Sequence, residues 1–183
     1  MRKKFDSNPW FYPLPVLIIG TYDENGKADA MNAAWGGLYD RDKVVLCLSA
    51  GHKTTKNIKA KGAFTVSFAD AAHVVEADYV GLVSANQEPD KLAKAGLHTT
   101  KSDAVDAPII DEFPVTLECK LIKVNEDGNI IGQIVSISVD ERCWAKTGKL
   151  TLPNCRPFPS IPAATPMSKW ARSWARRSRT AEN

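Results

Sequence analysis

Two turn signals constrain this chain more than any other feature in it. Asn25-Gly26 separates residues 16–22 (VLIIGTY) from 27–32 (KADAMN), and Asp127-Gly128 separates 113–124 (FPVTLECKLIKV) from 130–139 (IIGQIVSISV). Asn-Gly and Asp-Gly suit the positive φ of tight hairpin turns. Apolar, β-branched runs on either side predict antiparallel hairpins. Residues 43–49 (KVVLCLS), entered through the polar turn Asp40-Arg41-Asp42, and residues 63–68 (AFTVSF) read as further strands.

The remaining segments read as short helices and loops. A polar, cationic turn over 50–56 (AGHKTTK) leads into a helical pattern at 57–61, which Gly62 stops. Residues 70–84 (DAAHVVEADYVGLVS) have helical spacing. Residues 89–95 (PDKLAKA) fit a short helix with Pro near its start and Gly96 beyond its end. Residues 97–108 read as loop. About six strands joined by short helices predict a mainly-β, α+β antiparallel barrel. A doubly wound α/β sheet would need a regular strand–helix alternation, which is absent. So are the G-x-G-x-x-G and Walker loops that cradle dinucleotides and nucleoside triphosphates.

Composition narrows the class. A chain of 183 residues with 44% hydrophobic content is sufficient for one domain with a sizeable core. No run is long enough to cross a membrane, and the start, MRKKFDSNPWFYP, lacks a signal-peptide apolar core. A cytoplasmic protein is the expectation. Cys47, Cys119, Cys143 and Cys155 form no C-x-x-C or ligand spacing and read as buried free thiols. Three scattered histidines make no metal site. His73 and His98 are expected on the surface.

Net charge divides the chain in two. Residues 1–141 hold 15 Lys+Arg and 20 Asp+Glu, a balance of −5. Residues 142–183 hold 9 Lys+Arg and 1 Glu, a balance of +8, and the two sum to the overall +3. The second part also holds five of the eleven prolines and three of the five tryptophans, and it loses apolar periodicity. We therefore read 1–141 as the domain and 142–183 as an atypical basic tail. Residues 170–179 (WARSWARRSR) could form a basic amphipathic segment, the basis of a minor nucleic-acid or membrane reading. A frame-shifted end is the preferred reading. Trp has one codon, so each Trp-Ala forces Gly in the frame that begins on the third codon base. With synonymous codons chosen to suit, 170–183 then read G-E-V-V-G-E-A-F-K-D-G-R-K. Residues 143–149 give L-G-E-D-G-K and 165–170 give T-Y-V-K-M-G. The nucleotide sequence tests this directly.

The segment 29–68 concentrates features suited to a flat, anionic ligand. Residues 32–37 (NAAWGG) are small apart from one large aromatic, which lets backbone approach a planar group. The loop before residue 57 offers hydroxyls, a lysine and the N–H groups of a helix start, all fit for an anion.

In order along the chain come NAAWGG, S-x-x-H-K-T-T-x-N-I (49–58), G-A-F-T-V-S, E-A-D-Y-V-G-x-V-S (76–84), D-A-P (106–108), F-P-V-T-L-E-C (113–119) and G-Q-I-V (132–135). This order resembles the flavin reductase-like family of FMN-binding split β-barrels, in particular its flavoredoxin-like branch, over about residues 10–141. The re-framed tail also resembles that family's ending. The resemblance implies a six-stranded Greek-key split barrel with peripheral helices, dimeric, with FMN at the subunit interface. It places Met31, Asn32, Ala33, Ala34 and Trp35 along the isoalloxazine ring, and Ser49, His52, Lys53, Thr54 and Asn57 around the ribityl phosphate. His52 is a phosphate neighbour in this reading, not a base, because the flavin carries the redox chemistry. Glu76, Asp78 and Tyr79 fall on the substrate side. The implied activity is FMN-dependent oxidoreduction with NAD(P)H, or a protein, as electron donor. The rival is an electron carrier of the same shape that binds flavin or haem without turnover.

Overall fold

The computed structural model describes residues 2–7, 14–143 and 159–160. Residues 8–13, Cys155 and nearly all of the tail lie outside the described residues.

Among the described residues the strands are β1 (Leu14–Pro15), β2 (Leu17–Tyr22), β3 (Ala28–Ala33), β4 (Gly36–Asp40), β5 (Lys43–Leu46), β6 (Ala63–Phe68), β7 (Thr99–Lys101), β8 (Pro108–Ile110), β9 (Val115–Val124), β10 (Ile130–Val139) and β11 (Pro159–Ser160). Three α-helices accompany them: α1 (Lys53–Lys61), α2 (Val74–Leu82) and α3 (Lys91–Ala95). Seven strands form one antiparallel sheet in the order β3-β2-β6-β9-β10-β5-β4. Both turns that anchored the sequence reading are present, with Gly26 at φ 78° and Gly128 at φ 81°. Asp23 Oδ1 and Asn125 Oδ1 accept backbone N–H bonds across them.

The sheet must curl. Its edge strands, β3 and β4, are consecutive in the chain and are joined only by Ala34 and Trp35. Three Cα steps of ~3.8 Å let Ala33 and Gly36 lie at most about 11 Å apart. The first strand therefore lies close to the last, as in a barrel split along one seam. A Cβ on Gly36 would stand 3.0 Å from Leu17 Cδ1 and 3.0 Å from Leu46 Cδ2. Side chains from β2 and β5, well separated in strand order, meet there. The curled sheet has seven strands where six were expected, and the fold class is the one expected.

Two cores follow from the curl. Leu17, Ile19, Ala33, Val44, Leu46, Phe64, Val66, Cys119 and Ile130 fill the inside. Val16, Ile18, Ala30 and Ile110 face outward beneath Val74, Ala77 and Val80 of α2 and Leu92 of α3. Strand β2 is buried on both faces, which is why its sequence is continuously apolar rather than alternating.

Helix α1 packs against β2, β3 and β6. It places Ile58 in the inner core, while Asn57 Nδ2 donates to Thr21 Oγ1 at 3.0 Å. Gly62 ends it in the left-handed conformation, as its place in the sequence predicts.

Other details depart from the sequence reading. The helix begins at Lys53, not at residue 57, and β5 ends at Leu46. Residues 97–108 contain β7, paired with β8, where a loop was expected. Cys119 is a buried free thiol, but Cys47 is exposed and Cys143 is disulfide-bonded, so the reading of all four as buried free thiols is corrected. His98 is exposed and bonds Glu112, whereas His73 is half-buried against Phe113 and Asp70.

Candidate functional site

The seam between β3 and β4 and the start of α1 are neighbours. Beyond Gly36↔Leu46 the β4–β5 ladder continues with Cys47 N–H donating to Trp35 O at 2.9 Å. Ser49 O then accepts from His52 N at 3.2 Å and from Thr55 Oγ1 at 2.9 Å. These bonds carry the chain from the seam to the helix start within a few residues.

Each end offers free donors. Neither the Ala34 nor the Trp35 N–H has a backbone acceptor among the described residues. Trp35 is 54% exposed, and a Cβ on Gly37, two residues on, would meet nothing within 4 Å. An open face with one large ring and bare backbone suits a flat ligand. At α1 the first intrahelical bond runs from Lys56 N to His52 O. The N–H groups of Lys53, Thr54 and Thr55 therefore point out of the helix start with no backbone acceptor, as at any helix N-terminus. His52 supplies no side-chain cap, and there is no acid in the first turn. Three N–H groups, the Ser49 hydroxyl and the Lys53 ammonium make a donor set that fits a phosphate. Lys53 is partly engaged, 3.7 Å from Asp23 Oδ2.

The expected site residues divide into those that face the site and those that build it. Ala34, Trp35, Ser49 and His52 are exposed along the seam and loop, and Lys53 is half-buried. Met31 is half-buried against the inner core, and Ala33 is fully inside it. Asn32 Nδ2 donates to Ala77 O at 3.2 Å and so fastens α2 to the edge of β3. Thr54 and Asn57 were expected to hold phosphate, and the structure gives their side chains another role. Both are buried, with Thr54 Oγ1 donating to Asp29 Oδ2 at 2.7 Å and Asn57 bonded to Thr21. What Thr54 offers outward is its N–H.

Glu76, Asp78 and Tyr79 are carried on α2, which lies along β3, but no hydrogen bond links them to the seam. Glu76 Oε2 is buried with no hydrogen-bond partner among the described residues. Burial pushes the Asp78 carboxyl above its usual range. Tyr79 packs against the outer core. No His/Cys/Asp/Glu group among the described residues could hold a metal ion.

Sequence reasoning missed three contributors. Cys47 is an exposed thiol paired across the ladder with Trp35, and its place in an apolar run made it look buried. Asp29 and Lys91 form a buried ion pair at 3.2 Å beneath the start of α1. Lys91 read as an exposed lysine of a short helix, and no local pattern signals its partner.

With this geometry in view, comparison with known proteins is decisive. Residues 11–150 match the flavin reductase like domain. The chain belongs to that family. Within it the chain falls in the flavoredoxin branch. It is 34% identical to a flavoredoxin of Desulfovibrio vulgaris (Miyazaki F), with a TM-score of 0.86 over 90% of each chain. A flavoredoxin from Methanosarcina acetivorans shares the fold at 22% identity, with a TM-score of 0.76 over 90% of this chain and 94% of that one. Nitrilotriacetate monooxygenase component B from Bacillus cereus shares it at 18% identity, with a TM-score of 0.75 over 89% of this chain and 95% of that one. An Aeropyrum pernix protein is 28% identical over 64% of this chain, which spans only 45% of that relative's length.

Proposed function

We propose that this flavin reductase-like protein binds FMN and works as an oxidoreductase. The observation that carries the reading is the pairing of an uncapped, cationic helix start with a neighbouring open seam, where the Ala34 and Trp35 N–H groups have no backbone acceptor among the described residues. The Lys53, Thr54 and Thr55 N–H groups, the Ser49 hydroxyl and the Lys53 ammonium would hold the phosphate dianion. His52 would stand beside it. The seam at Asn32, Ala33, Ala34 and Trp35 would take the ring, with the Ala34 and Trp35 N–H groups placed to stabilise negative charge on it. Bound FMN supplies two-electron and one-electron redox chemistry. The chain's own part is to bind, orient and shield.

The electron donor is NAD(P)H or a protein. Asp78, whose carboxyl burial raises above its usual value, and the buried Glu76 oxygen on α2 belong to the substrate side of this reading. We also propose that the active form is a homodimer. Leu38, Tyr39, Val75, Leu82 and Ile137 are all more than half exposed, a large apolar area for a lone chain. Sedimentation at micromolar concentration tests that part.

The deciding experiment is the visible absorption spectrum before and after adding FMN and desalting. Retention of about one FMN per chain supports the reading, and no retention in a folded protein ends it. Rapid bleaching by NADH or NADPH then favours turnover. Bleaching only by dithionite or a protein donor favours an electron carrier.

A further inference from the structure

We infer that Asp29, Thr54 and Lys91 form a positioning cluster that sets the phosphate-binding start of α1, an inference that rests on the FMN reading above. The three side chains come from three elements, and each is almost wholly buried, at 4%, 2% and 3% exposure. Thr54 Oγ1 donates to Asp29 Oδ2 at 2.7 Å. Asp29 Oδ1 has no hydrogen bond of good angle, and its partner is the Lys91 ammonium at 3.2 Å. Lys91 Nζ also donates to Val80 O at 3.2 Å and Val83 O at 3.1 Å, at the C-terminal end of α2. The chain of contacts runs from the second residue of α1, through β3, to the end of α2.

The geometry has a direction. Thr54 lies in the first turn of α1, and its N–H is one of the three that face outward. Its side chain is held from below by a carboxylate, which is itself held by a buried cation. A buried carboxylate that lost the cation would be left uncompensated, so it holds its partners tightly. Lys91 in turn satisfies carbonyls at the end of α2, a favourable place for a cation. A second link ties the same regions, since Asn86 Nδ2, in the connection from α2 to α3, donates to Gly51 O at 3.3 Å just before the helix start. The helix N-terminus is thus clamped from two sides, and neither clamp uses a group that faces the ligand. Thr54, Asp29 and Lys91 act on the phosphate through the backbone they hold.

Such a role separates the phosphate from the ring. FMN and riboflavin differ only in the phosphate, so the ratio of their affinities reads the helix start alone. Thr54→Val keeps shape and removes the tether. Lys91→Met removes the cation, and the pair Asp29→Asn with Lys91→Met removes both charges in case the single variant does not fold. Fluorescence titration of the full chain with FMN and with riboflavin, alongside circular dichroism, gives the test. We expect the FMN affinity of Thr54→Val and of the Lys91 variants to fall about tenfold or more, and riboflavin affinity to change less than about twofold. Equal weakening of both ligands, or no change in either, in folded variants overturns the inference and leaves the FMN site standing. Failure of the unaltered protein to bind FMN overturns both.

Discussion

A methyl group is too large for residue 132. A Cβ there would come within 2.3 Å of Phe64 Cζ, so Gly132→Ala must displace a fully buried ring. Urea denaturation should show a loss of about 1–3 kcal/mol. Gly37→Ala is the control, with nothing within 4 Å of the added carbon and an expected change within about 0.5 kcal/mol. Glu118 gives a residue-scale prediction with a sign. Burial would raise its carboxyl, but hydrogen bonds from Ser102, Ser138 and Ser136 outweigh that and hold it below its usual value. The folded state therefore favours the ionised form. This contribution is fully present above the unfolded value of about 4.3 and is lost as pH falls through the lower folded value. Melting temperatures between pH 6 and pH 3 should fall less steeply in Glu118→Gln than in the natural sequence. Cys119, buried beside Glu118 and pushed up to about 12 mainly by that burial, should stay unreactive to thiol reagents in the folded state, while Cys47 labels.

At the scale of elements, α2 depends on one close approach. Gly81 presses on Asn32, where a Cβ would stand 2.7 Å from Asn32 Cβ. Gly81→Ala should lift α2 from β3 and loosen the Asn32 bond to Ala77. The expected result is a loss of stability of about 1–3 kcal/mol together with weaker retention of FMN after desalting. What the sequence revealed about the elements follows the physics that makes each one. Hairpins with Gly at a positive-φ turn are local, and both were legible. Strands β6, β9 and β10 were legible from apolar runs, and α3 from its Pro and Gly96. The first turn of α1 was not, because Thr54, Thr55 and Asn57 carry no apolar periodicity. The buried side chains of Thr54 and Asn57 are bonded to the distant Asp29 and Thr21, which no local pattern encodes. The β7–β8 hairpin was missed for a related reason. Its β7 strand, Thr99-Thr100-Lys101, is exposed and polar, and the adjoining Ser102 is tied to Glu118 of β9, far along the chain. The seam residues 32–37 stood out by composition, whereas the Asp29–Lys91 pair beneath the helix start did not.

For the whole molecule, the charge division remains to be explained. The domain part carries −5 and the remainder +8, and the family match reaches residue 150. If residues 142–183 arise from a shifted frame, the gene will contain an open frame that gives the acidic, helical ending instead. Sequencing the gene checks this, and stops or unrelated residues in that frame refute it. The re-framed protein should then hold FMN at least as tightly as this chain, as equilibrium titration would measure. No helix among the described residues is long and apolar enough to cross a bilayer.

The link through Ala34 and Trp35 has a consequence for how the molecule could be re-wired. The sheet ladder that joins all seven strands does not join β3 to β4, so at this point closure rests on the covalent link and on the core packing of Leu17 and Leu46 beside Gly36. A circular permutant with its new ends between residues 34 and 35 would retain every rung of the ladder, and only core packing would then hold the curl. Joining the old ends by a generous linker and cutting at the seam would then separate two things that evolution has placed together, the closing of the wall and the making of a binding edge.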